Sequence, residues 1–90
     1  MKYKIIYARK AEEDLVLLLK NEPASYKKAL KLISELYDHP RTGTGHPEPL
    51  KGRQNQWSRR ITKKHRIVYE IIDDRVLVLV LTAYGHYNDK

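Results

Sequence analysis

The spacing of apolar positions changes along the chain, and each change marks an element. Lys2–Ala8 alternates, with Tyr3, Ile5 and Tyr7 on one side, and predicts a short strand. Ala11 to about Lys20 predicts a helix, with Glu12, Glu13 and Asp14 near its start, where the helix dipole favours acids. Its run Leu15–Leu19 covers more than one face, so this helix is expected to touch both a sheet and a second helix. Asn21-Glu22-Pro23 breaks it, since proline suits a helix start better than a helix interior. Ala24–Asp38 then reads as an amphipathic helix. Tyr26, Ala29, Leu30, Ile33, Leu36 and Tyr37 recur at helical spacing, against Lys27, Lys28, Lys31, Ser34 and Glu35.

Three prolines and two glycines in His39–Pro49 predict a loop. Strands are expected over about Gln56–Thr62, Arg66–Ile72 and Arg75–Thr82, with Asp73-Asp74 as a turn. Val76–Leu81 is apolar at every position, which suits a strand covered on both faces or placed inside a sheet. The order is β-α-α-β-β-β. It predicts one α+β domain over residues 1–90, a mostly antiparallel sheet with a helical hairpin on one face.

Alternation also sorts the side chains by face. Trp57, Arg59 and Ile61 share one side of their strand, and Ser58, Arg60 and Thr62 the other. In the next strand Ile67, Tyr69 and Ile71 oppose Arg66, Val68 and Glu70. An odd-numbered loop around Lys63–His65 brings like parity together, so that Ile61 joins Ile67 on an apolar face. Arg60 and Arg66 then fall together on the helix-free face. Arg59 lands on the apolar side, where it is expected at the sheet edge, snorkelling outward.

Charge sharpens the picture. The formal charge is +7, from 18 Lys+Arg against 11 Asp+Glu. Seven of those bases, and no acid, lie between Lys51 and Arg66. Such a run favours a polyanion such as RNA, DNA, an acidic membrane or an acidic protein. No apolar stretch nears the roughly 20 residues needed to cross a bilayer, and none resembles an export signal, so a cytoplasmic protein without a membrane role is expected. With no cysteine, disulfides, thiol nucleophiles and zinc ribbons are excluded.

Three features carry candidate chemistry: Glu48 held between Pro47 and Pro49, Arg66 on the helix-free face, and Gly85-His86-Tyr87 after the last strand. Taken singly, each has an ordinary explanation as an exposed acid, a structural arginine and a stray histidine. Together they match RNA cleavage by its own 2′-hydroxyl, which needs a base, a cation for the crowded phosphorane and an acid for the leaving oxygen. The four histidines lack HExxH or comparable spacing, and no glycine loop cradles phosphate, so neither a metal nor another cofactor is expected.

Four blocks, Gly45-His46-Pro47-Glu48-Pro49-Leu50-Lys51, Trp57-Ser58-Arg59-Arg60-Ile61-Thr62, His65-Arg66-Ile67-Val68-Tyr69 and His86-Tyr87, resemble the YoeB/Txe toxins of the RelE-like superfamily. The resemblance spans nearly the whole chain and is densest from Gly45 to Tyr69. It implies a RelE-like fold and a ribosome-dependent mRNA endonuclease that leaves 2′,3′-cyclic phosphate and 5′-hydroxyl ends. Glu48 would be the general base, Arg66 the phosphate stabiliser and His86 the general acid. Tyr87 would position RNA, and Lys51 and Arg60 would contact phosphate. The implied partners are mRNA in the ribosomal A site and a cognate antitoxin of the YefM/Axe kind, with a homodimer left open. The chain departs from the pattern in continuing through Asn88-Asp89-Lys90, which sets an extra acid near His86, and in the very polar Gly52–Gln56. Two rivals stay open: a ParE-like gyrase inhibitor that shares the fold without cutting, and a plain basic RNA-binding module.

Overall fold

The computed structural model describes residues 2–85. The elements are β1 (Lys4–Tyr7), α1 (Arg9–Asn21), α2 (Pro23–Leu36), β2 (Glu48–Pro49), β3 (Gln56–Arg60), β4 (Arg66–Ile72), a single 3-10 turn at Asp73–Arg75, and β5 (Leu77–Thr82). They form one five-stranded sheet in the order β1-β5-β4-β3-β2, antiparallel except for the parallel pair β1–β5. This is the α+β arrangement expected, with one addition. Glu48-Pro49 lies in the predicted loop, yet pairs with Ser58 and Trp57 as an outer strand. Pro49 has no N–H to donate, and an edge position is where a sheet tolerates that.

Both helices pack on one sheet face, over Ile61, Ile67, Tyr69, Ile71, Val78 and Val80, all fully buried. Burying each such side chain stabilises the fold by about 1.5–3 kcal/mol. α1 presents Ala11, Asp14 and Leu18 to this core, and α2 presents Ala29, Leu32, Ile33 and Leu36. The apolar run of α1 does meet sheet and helix, but Val16, Leu17 and Leu19 point mainly to solvent. In α2, Leu32 takes the buried place expected for Leu30, which is exposed. Pro23 opens α2 at its first turn, as the missing N–H allows.

The all-apolar β5 does lie inside the sheet, between β1 and β4. Only one of its faces is sealed: Val78 and Val80 are buried, while Leu77, Leu79 and Leu81 stay half-buried on the helix-free side.

One base and one acid occupy places that the apolar pattern alone did not explain. Arg59 was expected to reach outward from the sheet edge, but it is fully buried. Its Nη1 donates to Glu35 Oε1 at 2.8 Å and to the Thr44 carbonyl at 3.4 Å. Its Nη2 donates to the carbonyls of His39 and Thr42, the latter at 2.6 Å, and its Nε to the Tyr69 hydroxyl at 3.2 Å. A buried guanidinium is tolerated only when its donors are met, and here the loop after α2 supplies the acceptors. Burial raises the Glu35 pKa, but hydrogen bonds from Thr44 and Arg59 outweigh it and hold the carboxyl below its ordinary value. Asp14, expected as a dipole partner at the start of α1, is also buried. Its Oδ2 accepts the Ala83 N–H at 2.9 Å, and its Oδ1 pairs with Lys10 at 2.7 Å.

Candidate functional site

The helix-free face carries the charged residues. β3 and β4 are joined by five residues, an odd number, and Arg60 lies directly opposite Arg66. The predicted parity is therefore what the hairpin adopts. Ser58 opposes Val68 on the same face, and Glu48 of β2 opposes Ser58. Arg66 thus reaches across to both: its Nη1 stands 3.3 Å from Ser58 Oγ and 3.4 Å from Glu48 Oε2.

Like charges placed directly opposite on two strands repel. Glu48 pairs with Arg66 alone, and Arg60 lies across the hairpin, so among the described residues one carboxylate sits beside two neighbouring guanidinium groups. The Glu48–Arg66 pair is long and Glu48 is 58% exposed, so it contributes little to stability. An arrangement that folding barely uses, in which a carboxylate and a cation share an open face, is suited to holding an anion beside a proton acceptor.

The loop that delivers Glu48 is fixed from two sides. Arg59 binds the carbonyls of residues 39, 42 and 44 from beneath, and the Arg60 N–H donates to the Gly45 carbonyl at 2.7 Å. Gly45 has φ +87°, and a Cβ there would stand 2.9 Å from the Arg60 carbonyl oxygen, so only glycine fits. His46 follows with φ +52°, and the chain then enters Pro47 and β2. The polar stretch 52–56 turns β2 into β3, with the Leu50 N–H donating to the Gln56 carbonyl at 2.8 Å.

Of the residues singled out from sequence, the structure brings Glu48, Arg60 and Arg66 onto one face. Lys51 is exposed in the turn just after β2. His86, Tyr87 and the Asn88-Asp89-Lys90 tail lie outside the described residues. The residue before His86 is placed: the Gly85 carbonyl accepts the Arg66 N–H at 3.0 Å. Arg59 is buried and adds nothing to the basic surface.

Sequence reasoning named Asp14 and His65 without seeing that both hold the chain near this corner. Asp14 binds Ala83, and His65, 2% exposed, accepts the Gly85 N–H on Nδ1 at 2.8 Å. A signal existed for each. Asp14 shares the helical spacing of Ala11 and Leu18, and His65 shares the parity of Ile61 and Ile67 on the core side.

The chain is similar to known proteins over most of its length. Residues 7–87 match the family model described as YoeB-like toxin of bacterial type II toxin-antitoxin system. Toxin YoeB of Escherichia coli K12 is 37% identical over 76 residues, covering 83% of this chain and 90% of that protein. The solved YoeB/ParE toxin from Agrobacterium tumefaciens superposes with TM-score 0.85 at 32% identity, covering 93% and 99% of the two chains. The toxin in the YoeB-YefM complex from Staphylococcus aureus superposes with TM-score 0.79 at 28% identity, covering 97% and 100%.

Proposed function

This chain belongs to the YoeB-like toxins of bacterial type II toxin-antitoxin systems, and from that premise we propose that it is an endoribonuclease that cuts mRNA on the ribosome by acid–base chemistry. The observation that carries the reading is the open corner where Glu48 Oε2 lies 3.4 Å from Arg66 Nη1, with Arg60 across the hairpin and Gly85 bound to Arg66.

In this reading the Glu48 carboxylate takes the proton of an RNA 2′-hydroxyl. The freed 2′-oxygen forms a bond to phosphorus, and Arg66 stabilises the charge of the crowded phosphorane. The bond from phosphorus to the 5′-oxygen breaks, and His86 gives that oxygen its proton. Arg60 and Lys51 hold neighbouring phosphates, and Tyr87 positions the RNA. The products are a 2′,3′-cyclic phosphate and a 5′-hydroxyl, and neither a metal nor another cofactor takes part. The protein works in the cytoplasm, where translating ribosomes are.

The Staphylococcus aureus relative is solved in complex with YefM. A comparable antitoxin, with an acidic segment over Arg60 and Arg66, would neutralise this corner. It would also raise the melting temperature of the toxin by mass action.

End-group analysis on translating ribosomes tests the chemistry. Cyclic phosphate and 5′-hydroxyl ends are expected, and Glu48→Ala and His86→Ala should each slow single-turnover cleavage by about 10²–10⁴-fold. Ends bearing 5′-phosphate point to metal-activated water and overturn the mechanism. A wild-type chain that stops growth without cutting RNA would instead favour a ParE-like inhibitor.

A further inference from the structure

His65 is a buried polar side chain next in sequence to Arg66, and the reaction as written does not use it. It ends the β3–β4 connection, which is closed by its own bonds. The Ile61 N–H donates to the His65 carbonyl at 2.9 Å, and Thr62 Oγ1 accepts the N–H groups of Lys64 and His65 at 3.1 and 3.2 Å. The imidazole is therefore presented from a firm base. Its Nδ1 accepts the Gly85 N–H at 2.8 Å, so the ring proton sits on Nε2. That Nε2 lies 2.8 Å from Glu22 Oε2, at the break between α1 and α2, and donates to it. The ring also packs at 4.5 Å against Tyr84.

Both backbone polar groups of Gly85 are thus held by two consecutive residues. Its N–H goes to the His65 side chain, and its carbonyl to the Arg66 N–H. Gly85 has φ +85°, a left-handed turn that L residues rarely adopt, although a Cβ there would meet nothing within 4 Å. The conformation is therefore set by its bonds and not by crowding. One peptide bond further on is His86.

We propose that His65 is a positioning residue: its imidazole, oriented by Glu22, clamps Gly85 beside Arg66 and so fixes where the chain carrying His86 leaves the sheet. The helical hairpin is linked by this relay to the site on the far side of the sheet. The activity consequence rests on the nuclease reading above, while the clamp itself does not.

Two substitutions separate the two ends of the ring. Asn at 65 places an amide oxygen near the Nδ1 position and can still accept from Gly85. Gln at 65 reaches toward Glu22 and leaves the Gly85 N–H without its acceptor. His65→Gln should speed hydrogen exchange of the Gly85 amide at least tenfold, whereas His65→Asn should keep it protected. With ribosome affinity unchanged within about threefold, His65→Gln should lose on the order of 10²-fold in single-turnover cleavage, the scale of a misplacement of about 1 Å. His65→Asn should stay within about tenfold of wild type. Glu22→Ala, which removes the acceptor at Nε2, should speed Gly85 exchange several-fold even if position 65 tolerates no change. Unaltered exchange at Gly85 in His65→Gln or Glu22→Ala overturns the clamp. Faster exchange with undiminished cleavage overturns its positioning role. A wild-type chain that never cuts refutes the nuclease reading, and Gly85 exchange still supports or overturns the clamp.

Discussion

Adjacent arginines with opposite fates offer the sharpest test of the fold. Arg59→Met removes the guanidinium and leaves a chain of similar length. Glu35 then keeps its bond from the Thr44 N–H at 2.9 Å but loses its cation, and the carbonyls of residues 39, 42 and 44 lose a shared donor. Breaking a buried ion pair from one side costs about 3–5 kcal/mol. Glu35 is 24% exposed and can recruit some water, which places the loss near 3 kcal/mol. A chain this size has on the order of 5–14 kcal/mol in total, so the change removes a large share. Tm should fall by more than about 10 °C, since each kcal/mol is worth about 4–8 °C in a small domain. Arg60→Met should change stability by no more than about 0.5 kcal/mol, in the favourable direction, because it relieves the repulsion from Arg66 across the hairpin. Urea titration followed by circular dichroism gives both values, with the midpoint of Arg59→Met falling at an unchanged slope. A cost below about 1 kcal/mol for Arg59→Met, or equal costs for the two variants, would refute the reasoning.

Binding to RNA or ribosomes should weaken linearly on a log–log plot against salt, and Arg60→Ala and Lys51→Ala should each flatten the slope by about one; a salt-independent affinity would contradict phosphate contact. Glu22, bonded to His65, Glu35, bonded to Thr44 and Arg59 despite the opposing effect of its burial, and Asp73, bonded to Arg41, all have pKa values held below normal. Their folded values lie below their unfolded ones of about 4, so the stability they contribute is full above that range and is lost as pH falls through the folded values. Thermal scans should show Tm dropping as pH falls below about 4, and a rise through that range would exclude this linkage. Asp14→Ala should cost about 1–3 kcal/mol by leaving the Ala83 N–H unpaired, whereas Asp14→Asn, which keeps an oxygen acceptor, should cost distinctly less in the same urea titration.

The element order and the pairing of faces were legible because they follow from local periods. Arg60 and Arg66 meet across the hairpin for the reason alternation gives. β2 was not legible: two residues carry no period, and their pairing with Ser58 and Trp57 is a tertiary matter. Arg59 was assigned to the right face but the wrong environment. Its acceptors are mostly backbone carbonyls, which every residue has, so nothing in the letters of residues 39–44 announces them. The bonds of Asp14 and His65 escaped notice for a related reason, because each goes to a backbone N–H, 69 and 20 residues away. Of the candidate site, Glu48, Arg66 and His86 were singled out by the needs of 2′-hydroxyl cleavage, and the roles proposed for them and for Tyr87 came from the family resemblance. That Glu48 and Arg66 lie side by side is a product of the β2–β3–β4 register.

The parallel pairing of β1 with β5 has a consequence for the order in which the protein can be made. Among the described residues Lys4–Tyr7 has Leu77–Val80 as its one sheet neighbour, so β1 cannot pair until β5 is present. Contacts this distant in sequence close late, after the loop entropy between them has been overcome. A chain interrupted before residue 77 lacks an interior strand, the landing place for β1, the backbone at Ala83 that Asp14 binds and the backbone at Gly85 that His65 binds. The sheet and the corner around Arg66 are therefore completed only once residues 77–85 are in place.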